Sequence, residues 1–143
     1  MIQQYVIALG IAVTWGVVYI IDQKVLERLS PMSLLVLNGL ITIGLLIPYL
    51  FYQFYTTKDF TLQVTKSDFM FVLVGLLLSI LANYLVYRSI GSIGATATSI
   101  FEISYPFFVV FFGFLLLGER INAATFMGGI LIFLGSVVII KFG

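Results

Sequence analysis

The sequence predicts an all-α, polytopic membrane protein with five transmembrane helices. Three observations predict it. Of the 143 residues, 62% are hydrophobic and only 9% are charged, whereas an ordinary soluble domain is about 25% charged. Mean hydropathy is +1.19, more apolar surface than a soluble domain of this size can hide. The few charged and turn-forming residues also divide the chain into five apolar stretches, each close to the ~20 residues needed to cross ~30 Å of hydrocarbon.

The first span covers about 5–21, from Tyr5 to Ile21, and gives way to the polar segment Asp22 to Ser30. It lacks a basic leading region and a small-residue cleavage site, so it reads as a retained span and not as a signal peptide. The second span, about 32–54, is entered through Ser30-Pro31; proline at the first helical position after a serine cap is a good helix start. A polar stretch with Lys58, Asp59 and Lys66 follows, and Asp68 opens the third span, about 68–87, which stops at Arg88. Gly91 and Gly94 separate it from the fourth, about 95–117. The turn Gly118-Glu119-Arg120 ends that span, and Asn122 caps the fifth, about 123–140. Such short connections leave no room for a soluble domain, so residues 1–143 read as a single transmembrane domain in a lipid bilayer.

The composition also excludes functions. A net charge of +1 offers no electrostatic footprint for nucleic acid. With no cysteine and no histidine, the chain has no disulfide, no thiolate or imidazole metal site and no Cys–His nucleophile chemistry. Neither a metal nor a cofactor is expected. An enzyme is not expected either, since acid–base catalysis needs partnered groups and only one carboxyl lies at depth.

Lys and Arg in short loops orient a membrane protein. Lys58, Lys66 and Arg120 fall on the side of the N-terminus, against Lys24, Arg28, Arg88 and Lys141 on the other. So even a division gives the chain little reason to prefer one orientation. The expectation is dual topology, with two copies paired antiparallel as a homodimer; a fixed topology with weak bias is the alternative.

Glu102 is the candidate coupling residue. It lies within the fourth span, after the small and polar run Ala95 to Phe101. A charged side chain at the bilayer centre costs about 2.5–3.5 kcal/mol even on translocon scales. A carboxyl held there can exchange a proton for a cationic solute; the plainer alternative is a protonated Glu that only hydrogen-bonds a neighbouring helix. Pro106 follows four residues later, so the carbonyl of Glu102 loses its helical partner and a kink is expected. Gly91, Ala95, Thr98 with Ser99, and Glu102 recur at spacings of three and four, which gives a small, polar stripe that either packs or lines a cavity.

Other spans offer substrate-binding candidates. Trp15, Tyr19 and Asp22 share one face of the first span, with Asp22 near its end beside Lys24. Asn38 and Thr42 share a face in the second, and Ser79, Asn83 and Tyr87 in the third, with Tyr84 adjacent. Ser99 and Tyr105 flank Glu102 and the kink. Aromatic rings near a carboxylate suit an organic cation, although Tyr and Trp also form interfacial belts, the expected role of Tyr49, Tyr52 and Tyr55. The fifth span is almost wholly apolar and carries Ala124 with Gly128, Thr125 with Gly129, and Gly135. That pattern reads as a helix–helix contact surface.

From Gly94 onward, the order of small residues, Pro106, the Gly118-Glu119-Arg120 turn and a final helix with Gly128, Gly129 and Gly135 resembles the closing half of an EamA domain. That domain is the repeat unit of the drug/metabolite transporter superfamily. The resemblance extends upstream to Trp15-Gly16 and Ser30-Pro31, and its specific part is 94–141. It implies one five-helix EamA-like repeat, where larger members look like two such units fused in inverted orientation. It also implies a secondary transporter or exporter of small organic metabolites or drugs in the plasma or inner membrane. The last two helices are similar to those of small multidrug resistance proteins, which carry their carboxylate in the first helix. The first span here has no Glu and holds Asp22 only at its edge, so that role does not carry over and Glu102 rests on its own position. Two alternatives stand beside a proton-coupled homodimeric transporter: an uncoupled facilitator or exchanger of neutral metabolites, and a non-transporting membrane subunit of a hetero-oligomer.

Overall fold

The computed structural model describes residues 2–56, 64–118, 120 and 122–142. Their regular structure is helical throughout: α1 (Ile2–Leu26), α2 (Pro31–Thr56), α3 (Lys66–Ile93), α4 (Ala95–Glu102), α5 (Tyr105–Leu117) and α6 (Ala123–Phe142). Among the described residues, Leu9–Leu26, Pro31–Thr56, Lys66–Ile93 and Ala95–Leu117 are long and apolar enough to cross a membrane, and Ala123–Ile139 is a shorter apolar helix. The chain is therefore a multi-pass membrane protein. Lys58 and Asp59 of the polar connection, and Glu119 of the turn before α6, lie outside the described residues.

Local chemistry sets the helix ends. The Ser30 hydroxyl accepts a hydrogen bond from the Ser33 N–H at 3.1 Å, with Pro31 as the first helical residue. Thr65 and Asp68 form a reciprocal capping box at the start of α3: the Asp68 N–H donates to Thr65 Oγ1 at 3.2 Å, and the Thr65 N–H donates to Asp68 Oδ2 at 3.0 Å. Each pair satisfies N–H groups that a helix start leaves without partners. Asn122 Oδ1 does the same for the Ala124 N–H at 3.0 Å. Gly118 ends α5 with φ 67°, a left-handed conformation that glycine adopts without steric cost.

Three features differ from the expected spans. The third helix does not stop at Arg88 but continues to Ile93, because an arginine at a span end can stay helical while its head group reaches the interface. Pro48 sits inside α2, a position the hydropathy pattern did not single out. The fourth span is two helices, broken at Ile103–Ser104.

Pro106 accounts for that break. Its ring would clash with the carbonyl four residues earlier and it has no N–H to offer it, so α4 ends at that residue, Glu102. The connection tightens instead: the Ser104 N–H bonds to the Phe101 carbonyl at 3.1 Å, and the Phe107 N–H to the Ser104 carbonyl at 3.1 Å.

The chain forms two compact units, Met1–Asp22 with Ser92–Gly143, and Gln23–Gly91. In the first unit α6 packs against both halves of the broken helix. One α6 face makes the contact: Gly129 lies against Phe107, the Phe133 and Phe107 ring centres are 6.1 Å apart, and Ser136 meets Ser104 at 3.0 Å. A Cβ on Gly129 would stand 3.7 Å from the Phe107 Cα, whereas Gly128 and Gly135 have nothing within 4 Å. Of the small residues expected to form a contact surface, Gly129 is thus the glycine that serves this packing.

The serine pair is buried, at 7% and 4% exposure. Ser136 spends its one hydroxyl proton on the Phe133 carbonyl at 2.8 Å, so Ser104 must be the donor between them. An asymmetry follows. Ser136→Ala strands the Ser104 donor and should destabilise the protein by about 1–3 kcal/mol. Ser104→Ala leaves Ser136 bonded and should cost nearer the ~0.6 kcal/mol average of interhelical hydrogen bonds in membranes. Denaturant unfolding in micelles measures both, and equal losses would refute the donor assignment.

In the second unit, Asn38 of α2 donates through Nδ2 to the Tyr87 hydroxyl of α3 at 2.8 Å. A small apolar groove there is lined by Met32, Leu35, Leu77, Ile80, Leu81 and Tyr84.

Candidate functional site

The first unit contains a cavity of about 710 Å³, within the ~300–1,000 Å³ range of small-molecule sites. Helix α1 lines one wall with Ile11, Ala12, Trp15, Gly16 and Tyr19; the other is formed by Ser99, Ile100, Glu102, Ile103, Tyr105 and Pro106 at the α4–α5 break. Helical spacing explains the first wall. Ile11, Trp15 and Tyr19 follow at intervals of four, so they present one stripe. The break explains the second: ending α4 at Glu102 brings a carboxylate and the start of a new helix to the same wall.

The cavity is mostly apolar with a few polar groups. Among the described residues, no hydrogen bond or ion pair engages the Glu102 carboxylate. Ser99 donates its proton to the Thr96 carbonyl at 2.9 Å, so its hydroxyl oxygen is left as an acceptor. Trp15 and Tyr19 meet edge to face, with ring centres 6.4 Å apart and planes at 70°. Such a setting can hold a solute with an apolar body and a positive charge, by cation–π attraction to the rings and charge attraction to the carboxylate.

Six of the residues singled out in the sequence meet on this cavity: Trp15, Tyr19, Ser99, Glu102, Tyr105 and Pro106. The other four lie in the second unit. Asn38 and Tyr87 bond to each other, Asn83 donates to the Ser79 carbonyl of its own helix at 2.8 Å, and Tyr84 lines the apolar groove.

The small-residue stripe also divides. Gly94, at φ 84°, separates Gly91 on α3 from the rest on α4. Ala95 and Thr98 are buried at 1% and 4% exposure, while Ser99 and Glu102 reach the cavity. Both readings of the stripe therefore hold, each for different residues. Asp22 is buried at 8% exposure, and Lys24 pairs with Glu27 at 2.8 Å. Helix α1 runs to Leu26, which keeps Asp22 inside the helical segment. Sequence reasoning missed Ile11, Ala12, Gly16, Ile100 and Ile103, which complete the cavity walls. Their spacing from Trp15 and Glu102 held the signal, but apolar residues in a membrane span do not stand out. The Ser104–Ser136 contact had no such signal, since 32 residues separate the pair.

Compared with models of protein families, the chain matches the EamA-like transporter family over residues 3–141. No curated protein and no solved structure matches it.

Proposed function

We infer, because this chain belongs to the EamA-like transporter family, that the cavity of its first unit is where a transported solute binds. The family consists of membrane transporters of small molecules. Within that activity, our reading is secondary transport or export of cationic, amphipathic organic solutes across the plasma or inner membrane, coupled to protons through Glu102. The observation that carries it is the Glu102 carboxylate, without a partner among the described residues, on a cavity wall with Trp15, Tyr19 and Tyr105. A carboxylate in an apolar site is stabilised by either a proton or a cation, and binding one disfavours the other. Competition of this kind exchanges the two across a membrane.

The working unit in this reading is an antiparallel homodimer, supported by the near-even division of basic residues between the two sides. Two inverted copies supply the equivalent halves that alternating access requires. The α4–α5 break beside Glu102 gives each copy a point at which the cavity wall can move.

Transport is tested in proteoliposomes, by adding an organic cation to one side and recording its uptake with the accompanying pH change. Movement of cation with opposite movement of protons supports the reading, and neither moving overturns it. Topology is tested by a cysteine introduced at the N-terminus and labelled from each side of intact cells. Both sides should label in comparable amounts; labelling from one side alone would rule out the antiparallel dimer.

A further inference from the structure

The exchange reading uses the carboxylate of the cavity and leaves another polar group on its wall without a task. Tyr19 is 5% exposed, and its hydroxyl is buried with no hydrogen-bond partner among the described residues. Buried phenols ordinarily find one, and an unpaired donor in an apolar setting is unfavourable. The Tyr19 ring borders the cavity and meets Trp15 there, while the hydroxyl it carries is covered and unmatched.

We propose that Tyr19 is a specificity-determining residue, whose hydroxyl donates to a hydrogen-bond acceptor on the transported cation. The cavity then prefers organic cations bearing a hydroxyl, ether or carbonyl oxygen over cations of the same size without one. This rests on the transport reading above and narrows its substrate class. The remaining wall supports the assignment. Trp15 and Glu102 attract the positive charge, while Ser99 has committed its proton to the Thr96 carbonyl and can only accept. Tyr19 therefore supplies a hydroxyl proton that Ser99 does not. In this conformation the hydroxyl is covered, so the phenol must turn about its Cα–Cβ bond toward the cavity its ring already borders. The unfavourable unpaired state favours that turn once an acceptor is present.

Trp15 makes the test direct, because it is the one tryptophan in the sequence and it lines the cavity. Quenching of its fluorescence in the purified protein reports binding without any need for transport. The probes are a phenylpropyl-trimethylammonium ion and the same ion bearing one hydroxyl on its propyl chain. The hydroxylated ion should bind the wild type about tenfold more tightly, as one added hydrogen bond to a buried donor predicts. In Tyr19→Phe the two affinities should become equal through loss of affinity for the hydroxylated ion alone. Thermal melting should show Tyr19→Phe no less stable than the wild type, since the change removes an unpaired group.

Equal affinities for the two ions in the wild type would overturn the inference and leave the transport reading intact. A preference that persists in Tyr19→Phe would overturn the role of Tyr19. If neither ion affects the fluorescence, the inference falls together with the cationic substrate class. Should Tyr19→Phe fail to fold, the wild-type ratio remains a test by itself, with a ratio of one against the inference.

Discussion

Proteoliposomes containing Glu102→Gln should release no protons when an organic cation is added, and should not concentrate that cation against its gradient. The size of the effect follows from the gradient. One pH unit is worth about 1.36 kcal/mol, so exchange of one proton for one cation sustains up to about a tenfold concentration ratio per unit. Without a titratable group in the cavity the ratio set by the pH gradient collapses to one, while passive equilibration can continue. Glutamine keeps the size of the side chain and its hydrogen-bonding capacity, so the loss would report on charge and not on packing. Glu102→Asp retains the charge on a shorter arm and should keep the coupling with weaker binding. If the glutamine variant still concentrates the cation with the same pH dependence, Glu102 is not the coupling group. Asp22, buried at 8% exposure on α1, would then be the next carboxyl to test.

Tyr87→Phe should destabilise the protein by about 1–2 kcal/mol, because it removes the acceptor of the Asn38 amide on α2, in an apolar span where no water replaces it. The two side chains join α2 to α3 at 2.8 Å, and Tyr87 is 7% exposed. Asn38→Leu should cost less, since leucine suits an apolar environment and leaves no amide donor to satisfy. Denaturant unfolding in micelles measures the two losses. Neither residue lines the cavity, so the affinity for a transported cation, read from Trp15 fluorescence, should stay near the wild-type value in both variants. The opposite pattern would return the pair to the substrate-binding set: unchanged stability with affinity reduced by about tenfold, the equivalent of 1.4 kcal/mol.

Much of the architecture was legible because lipid makes strict demands. A membrane span must be long, apolar and helical, and a backbone with no water around it must satisfy its own hydrogen bonds. Those demands are local, so they can be read from composition and from caps such as Ser30 and Asn122. The kink at Pro106 was legible for the same reason, being a clash within one turn of helix. Loop charge was less informative about helix ends: Arg88 marked the edge of an apolar run, yet α3 continues to Ile93.

The candidate site was legible only in part. Glu102 stood out because a carboxyl in a span is costly and rare. The partners on its wall did not stand out equally, since the aromatic, amide and hydroxyl residues of four spans offered eight candidates on similar grounds. Asn38 and Tyr87 show why. Each has the polarity expected of a binding residue, but together they satisfy one another, and no spacing rule links positions 49 apart in sequence.

The sequence by itself thus determined the solvent, the helical class and the family, and it singled out Glu102 as a carboxyl within a span. Each is a property of a residue or segment and the medium around it. Tertiary structure decided which side chains share the cavity with that carboxyl, which polar groups cancel in pairs, and which hydroxyl was left unmatched. These depend on which faces of different helices come together. In a membrane, apolar faces look alike to their neighbours and to lipid, so pairing is chosen by close packing and a few hydrogen bonds. Gly129 against Phe107 and Ser104 with Ser136 are such choices, and they appear only once the helices are assembled.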